Sequence, residues 1–302
     1  MTPKIIVLTP VRNEAWILRA FLTATSLWAD HIIIADQMSD DGSRDIYKDF
    51  PKVTLIDNNR KEMHQAATRR LLFEEAHRML GNNDAILLAL DADEILCGDF
   101  LHSKAWQTIL NSQPNDTFCW RWMYLKGGDP TQYSTSNLQY WYWGVHVSES
   151  FWQGMFPDNF IHEWRLPWPD ECTKEKTLML DDLFSIHFAH MNVARSENKI
   201  RFYQVSSLHG RINNETRKYT SYALYRQYHG SGNAEYAPLP DNAFSYYQQH
   251  NIDLWQLVDL NDEGEHMTKA ILNFFVQDGI KRYANLDIWD REWCLRHKIT
   301  PP

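Results

Sequence analysis

The first hundred residues predict an α/β fold, a mostly parallel sheet flanked by helices. Strands and helices alternate along them, each strand is apolar throughout, and polar residues follow every strand at its carboxyl end. Alternation is the grammar of βαβ units, and strands without a polar face are those covered on both sides.

Element by element, "KIIVLTPV" is a buried strand. It is followed by "EAWILRAFLTATSLWAD", in which Ile17, Ala20, Phe21, Ala24, Leu27 and Trp28 recur at helical spacing. "HIIIADQ" is a second strand, "MSDDGS" a turn and "RDIYKDF" a short helix. The strand "VTLIDN", the helix "HQAATRRLLFEEAHRML" and the strand "AILLALD" complete the series. Ligands of such sheets sit beyond the carboxyl ends of the strands. That edge collects Pro10 to Glu14, Asp36 to Asp41, Asp57 to Arg60 and Asp91 to Glu94.

From about residue 117 the pattern changes to aromatic-rich segments punctuated by Gly and Pro, expected as short strands and loops. Residues 193 to 229 read as helical, and "GEHMTKAILNFFVQDGIKRYA" as an amphipathic helix. With no repeat or linker, we expect one domain over residues 1–230, with a ligand-binding half at 1–100 and an elaborated half at 101–230. Residues 231–302 would form a helical extension.

Composition narrows the function. A formal charge of −9 argues against a nucleic-acid partner, which would be held by excess Lys and Arg. The apolar runs are too short to span a membrane, and no leader pattern opens the chain, so a cytoplasmic protein is expected. Cys97, Cys119, Cys172 and Cys294 contain no C-x-x-C pair and fit reduced thiols. The 13 Trp, 14 Tyr and 14 Phe cluster at "CWRWMYL", "LQYWYWGVHVSESFWQGMF" and "HEWRLPWP". Such rings stack on sugars and also fill cores; about half should be core.

The stretch "ILLALDADEIL" places Asp91, Asp93 and Glu94 within four positions. Like charges that close must share a proton or gain a cation. In extended backbone Asp91 and Asp93 would share a side and Glu94 would point away to brace a loop. The segment "TPVRNEA" has no glycine with which to cradle phosphates, so a diphosphate at this edge would need a divalent cation on Asp91 or Asp93. Taken alone, "DADE" reads more simply as a solvated strand end or a helix N-cap, since a bare DxD is common by chance.

The neighbouring motifs change that reading. Pro10, Asn13 and Glu14 form P-x-x-N-E, and Asp36, Ser39, Asp41 and Ser43 form D-x-x-S-x-D-x-S after the second strand. Asp91-Ala92-Asp93 forms DxD after the fourth. In this order the chain resembles family 2 glycosyltransferases of the GT-A fold, with one departure at Gln37-Met38, where many relatives carry Asp-Gly. The resemblance implies a nucleotide site at Pro10, Arg12, Glu14, Asp36, Arg69 and Asp91, most often for uracil. It also implies a metal, Mn²⁺ or Mg²⁺, at Asp93 with His187 as a further ligand. Ser39 and Asp41 read more simply as a turn and cap for the helix that follows, and Arg69 as part of an amphipathic helix with ion pairs.

Further on, "FIHEWRLPW" and "FSIHFAHMNVARSENKIRFYQ" match the acceptor region of relatives that build lipopolysaccharide and surface glycans, at His162, Glu163, His187, His190, Lys199 and Tyr203. An inverting transfer needs a base for the acceptor hydroxyl. Glu163, among Trp164 and Trp168, is the candidate; a surface pair with Arg165 is its plain alternative, and Asp170 and Glu171 stand in reserve. The expected activity is metal-dependent transfer from a nucleotide-diphosphate sugar, a UDP-sugar first, to a glycan or glycolipid, free in the cytoplasm or at the inner face of the membrane. Two rivals are a carbohydrate-binding or inactive transferase-like protein, and a sugar-nucleotide pyrophosphorylase. The second would want a glycine-rich basic loop where "TPVRNEA" stands.

Overall fold

The computed structural model describes residues 3–60, 64–136, 138–147, 149, 151–153, 165–166, 177–209 and 235–302. The N-terminal series is β1 (Lys4–Val11), α1 (Ala15–Ser26), β2 (His31–Asp36), α2 (Ser43–Ile46), β3 (Val53–Asp57), α3 (Gln65–Leu80) and β4 (Ala85–Ala89). Downstream come β5 (Glu94–Leu96), α4 (Lys104–Leu110), β6 (Thr117–Lys126), β7 (Asp129–Ser134), β8 (Tyr140–Val147) and β9 (Thr177–His187). They are followed by α5 (Val193–Leu208), β10 (Tyr236–Pro238), α6 (Ser245–Gln249), α7 (Glu265–Asp278) and α8 (Arg291–Arg296).

The four early strands are parallel in the order β4-β1-β2-β3. The pleat explains why they are apolar throughout. Ile5, Val7, Ile32, Ile34, Ile86 and Leu88 pack on one face with Ile17 and Phe21 of α1, whereas Ile6, Leu8, Ile33, Ala35 and Leu87 pack on the other with Leu72, Phe73 and Ala76 of α3. Each such side chain contributes about 1.5–3 kcal/mol on burial. Because Val11 lies opposite Asp36, and Asp36 opposite Asp57, the loops after these strands open at the same edge.

The second half extends the sheet in the other sense. β8 runs antiparallel to β4, and β6, β7 and β10 continue outward in that manner. A Cβ at Gly144 would meet the Leu87 carbonyl oxygen at 2.9 Å, so β8 reaches β4 only through a glycine. The strands here are longer than expected: β6 has 10 residues and β9 has 11. The helix expected over 193–229 is observed to Leu208, and residues 210–229 lie outside the described set.

One further departure matters for the site. The DxD segment is not extended: the Glu94 amide donates to the Asp91 carbonyl, closing a turn, and β5 leaves the parallel sheet to pair antiparallel with β9, Glu94 opposite His187. The C-terminal residues pack on what precedes them. β10 pairs with β7, and α7 lies against α5 around Val205, Ile271, Phe274 and Phe275. Among the described residues no helix is long and apolar enough to cross a membrane.

Candidate active site

Two loops frame the carboxyl edge of β1 and β2, and each holds the other. The amide of Asn13 donates to Ser39 Oγ at 2.9 Å, that of Glu14 to Ser43 Oγ at 3.1 Å and that of Ala15 to Asp41 Oδ2 at 2.8 Å. The last two are open N–H groups at the start of α1, whose own N-cap Glu14 makes no side-chain cap. Asp41 also accepts from the amide of Ser43, the first residue of α2, at 2.9 Å, so it serves the start of both helices, although the N-cap position of α2 itself is Gly42 and makes no side-chain cap. Asn13 and Asp40 exchange a reciprocal pair of 2.9 Å bonds. Asn13 and Met38 both adopt positive φ, 56° and 52°. Met38 therefore occupies a left-handed position that favours glycine.

Asp36 is fully buried, and its carboxylate is spent inside this frame. It accepts from the Ser39 amide at 2.9 Å, Arg44 Nη1 at 2.9 Å and the Tyr47 hydroxyl at 2.7 Å. Burial and then the Asp36 charge push the Tyr47 hydroxyl far above its ordinary range. Asp36 does not line the cavity described below.

The turn after β4 is organised differently. Arg69 of α3 is 6% exposed; its Nη2 donates to Asp91 Oδ1 at 2.7 Å, while its Nη1 is buried with no hydrogen-bond partner among the described residues. Arg165 straddles the cluster. Nη2 donates to Asp91 Oδ2 at 3.1 Å and Glu94 Oε1 at 2.6 Å, and Nη1 bonds Glu94 Oε2. Its guanidinium carbon lies 4.6 Å from the Trp143 ring centroid. Glu94, fully buried, also accepts from Trp122 Nε1 at 2.9 Å and from the Asp91 amide at 2.7 Å. Glu94 thus turns back onto Asp91 instead of pointing away, because the backbone turns there.

Each carboxyl responds to its surroundings. Burial raises Asp91, but Arg165 and Arg69 outweigh it and hold the carboxyl below its ordinary range. Burial raises Glu94, and Arg165 only partly opposes this. Asp93 is depressed despite burial, chiefly by His187, whose Nε2 lies 3.4 Å from Asp93 Oδ2. His187 Nδ1 is buried without a partner among the described residues. Asp93, Glu94 and His187 offer ligand atoms within 4.8 Å of one another. Since Glu94 is filled by Arg165 and Trp122, the pair that fits a divalent ion is Asp93 with His187, a carboxylate and an imidazole suited to Mn²⁺.

These loops wall a cavity of about 490 Å³. Of the residues expected at the site, Pro10, Arg12, Glu14, Arg69, Asp91 and Asp93 line it, whereas Asp36 and His187 stand behind the lining. Glu163, with His162, Trp164, Trp168, Asp170 and Glu171, lies outside the described residues. Lys199 and Tyr203 of α5 face the cavity, and His190 is buried, its Nδ1 3.3 Å from Ser196 Oγ.

The opposite wall was invisible to motif reading. α7 contributes His266, Lys269 and Asn273 at intervals of three and four, one helical face. Arg195 of α5 ties the walls together, donating to the Asn13 carbonyl at 2.6 Å, Glu14 Oε2 at 3.2 Å and Asp262 Oδ2 at 2.8 Å. Burial first, then the nearby Asp93, raise Glu14 against the pull of Arg195 and Lys199. Arg165 too was missed as a functional residue; the aromatic residues around it in "HEWRLPW" were the available sign of a buried guanidinium.

Residues 6–172 match the family described as Glycosyl transferase family 2. No curated protein matches the chain. Among solved structures, similarity extends to glucosyl-3-phosphoglycerate synthase from Mycobacterium tuberculosis in complex with Mn²⁺, uridine diphosphate and phosphoglyceric acid. Its identity is 15% and its TM-score 0.29, over 40% of this chain and 43% of that one. A nucleoside-diphosphate-sugar pyrophosphorylase from Vibrio cholerae RC9 is 9% identical at a TM-score of 0.35, over 59% and 92%. A 4-diphosphocytidyl-2C-methyl-D-erythritol synthase is 9% identical at 0.34, over 50% and 77%. All three likenesses are too weak to bear on donor or acceptor.

Proposed function

The chain belongs to glycosyl transferase family 2 and is a nucleotide-sugar glycosyltransferase, and from that premise we propose an inverting transfer from a uridine diphosphate sugar to a hydroxyl of a glycan or glycolipid. The observation that carries this reading is the state of the three clustered carboxylates. Two are matched by buried arginines, and the third, Asp93, stands beside His187 at the wall of a cavity on the carboxyl edge of the parallel strands.

Asp93 and His187 would hold Mn²⁺ or Mg²⁺, which when bound stabilises the negative charge of a departing diphosphate. The chain's own residues supply the rest. Arg69 has an unsatisfied buried N–H in the cavity wall, a ready donor to a phosphate or ribose oxygen. Lys199 faces the same space. Pro10, Arg12 and Met38 form the end where the nucleobase would lie, and Asp36 serves it from behind as a brace for Ser39 and the turn. Uracil is proposed because these loops carry the P-x-x-N-E and D-x-x-S-x-D-x-S motifs of the family. Glu163 is the proposed base: it takes the proton from the acceptor hydroxyl as that oxygen bonds the anomeric carbon and the bond to the diphosphate breaks on the opposite face.

The test is thermal unfolding of the purified protein with UDP, GDP or CDP, each with Mn²⁺ or with EDTA. A ligand at about 100 times its dissociation constant adds about 2.7 kcal/mol of stability. A midpoint shift with UDP and Mn²⁺ that EDTA abolishes is expected. A shift with another nucleotide would reassign the base, and none with any nucleotide would leave carbohydrate binding without transfer as the reading. With binding established, Glu163→Gln is expected to keep it and lose transfer.

A further inference from the structure

Three carboxylates and two guanidiniums do not balance, and the remainder falls on the proposed metal ligand. Asp91, Asp93 and Glu94 bring three negative charges; Arg69 and Arg165 return two. Arg165 is built in for this. It is 9% exposed, bonds both oxygens of Glu94 and one of Asp91, reaches the Ala89 carbonyl at 3.2 Å, and lies 4.6 Å and 5.3 Å from the ring centroids of Trp143 and Trp122. A planar fork with five donors can bond both oxygens of one carboxylate and reach a second in fixed geometry. Lys199, across the cavity, adds another positive charge that Asp93 feels.

We propose that Arg165 is a positioning residue that sets the charge of this site, keeping it close to neutral so that a divalent cation is retained only together with the donor diphosphate. The inference rests on the metal reading given under Proposed function. A hard divalent ion held by one carboxylate and one imidazole has most of its positions left to fill, and phosphate oxygens fill them. Without the Arg165 charge, Asp91 and Glu94 would draw a cation with no nucleotide present. Arg165 comes from residues 101–230, far in sequence from the β4 turn that it neutralises, so the elaborated half acts on the proposed donor site through it.

The experiment measures free Mn²⁺ by its electron paramagnetic resonance signal over the full-length protein, with and without UDP. For the natural sequence we expect weak retention of Mn²⁺ alone and at least about tenfold tighter retention with UDP, a coupling that is reciprocal by linkage. Arg165→Gln removes one positive charge and should tighten Mn²⁺ binding in the absence of UDP by about tenfold, while shrinking the gain from UDP. Glu94→Gln removes one negative charge, keeps one acceptor oxygen for Trp122 Nε1 and Arg165 Nη2, and should weaken Mn²⁺ binding. Arg165→Lys keeps the charge and should leave UDP-free Mn²⁺ affinity near that of the natural protein. A merely structural role would lower affinity in every variant that moves it.

Unchanged or weaker UDP-free Mn²⁺ binding in Arg165→Gln overturns the proposal. So does unchanged binding in Glu94→Gln, which decides the matter if Arg165→Gln fails to fold. Should the natural protein retain no Mn²⁺ even with UDP, the metal reading itself falls. Retention with UDP but no effect of the substitutions removes the role of Arg165 alone.

Discussion

Two loops at the same edge of the sheet each carry three carboxylates, and the structure uses them in opposite ways. After β2, Asp36, Asp40 and Asp41 mostly bind nearby backbone amides and side chains of the paired β1–α1 loop. After β4, Asp91, Asp93 and Glu94 are matched by Arg69, His187 and Arg165, which come from distant elements. The first arrangement shapes a wall of the cavity; the second leaves a charge in it. Motifs that look alike on paper thus divide into a frame and a charged edge according to what satisfies the side chains.

The largest expected effects test that division directly. Asp36→Ala strands the Tyr47 hydroxyl and the Ser39 amide in a buried place and takes one of two carboxylate partners from the partly exposed Arg44, and should cost about 3 kcal/mol in urea unfolding. Its folded fraction should still bind UDP with Mn²⁺. Asp93→Ala should show the reverse, a small change in unfolding midpoint and complete loss of the Mn²⁺-dependent UDP shift, about 2.7 kcal/mol under saturating conditions. If Asp36→Ala were stable but unable to bind UDP, the two loops would have to be read alike.

A smaller effect sharpens the comparison within the frame. Asp41 accepts from the amides of Ser43 and Ala15, the first residues of two helices, so Asp41→Ala leaves both without their acceptor and should cost about 1–2 kcal/mol. Asp41→Asn, which keeps one acceptor oxygen, should recover part of it. A loss confined to stability, with UDP affinity of the folded protein changed little, places Asp41 in the frame; a loss of affinity at unchanged stability would move it to the ligand.

How much of this was legible follows from where each partner lies in the chain. The alternation of β1 to β4 was readable because every apolar strand residue packs on α1 or α3, so periodicity and burial agree. The loop after β2 was readable as a turn because many of its partners are local, although its second duty toward α1 depends on residues 26 to 29 positions apart. Asp91, Asp93 and Glu94 announced themselves, but the expectation that a cation and a diphosphate make their closeness tolerable needs amending. Arg69 and Arg165 match two of the three. Arg165 lies 74 residues from Asp91, and its neighbour Glu163 offered a simpler pairing. The aromatic block divided as composition allowed: Trp120 and Trp143 are fully buried and stacked at 5.1 Å, whereas Trp141 is 39% exposed. The wall from α7 carried no sign at all, since an amphipathic helix shows which face is apolar and not what its polar residues will meet.

That wall gives the smallest and most specific prediction. Burial first, then the Arg195 charge, hold the His266 imidazole down at about 4, well below its ordinary range. Asp262, Asp41 and Arg12 also act on it, and the net result is a ring kept neutral in the folded protein. The unfolded chain takes up a proton near the ordinary histidine value while the folded chain does not, so the unfolded state binds more protons between about pH 6.5 and 4. Stability contributed by the neutral ring is therefore full above about pH 6.5 and is lost progressively as the pH falls toward 4. His266→Gln should flatten that part of the unfolding profile relative to the natural protein, with little change at pH 8. An unaltered slope would show that His266 is not the group responsible; the raised carboxyls Glu14 and Glu94 could not replace it, because they act with the opposite sign, their protonation favouring the fold as the pH falls.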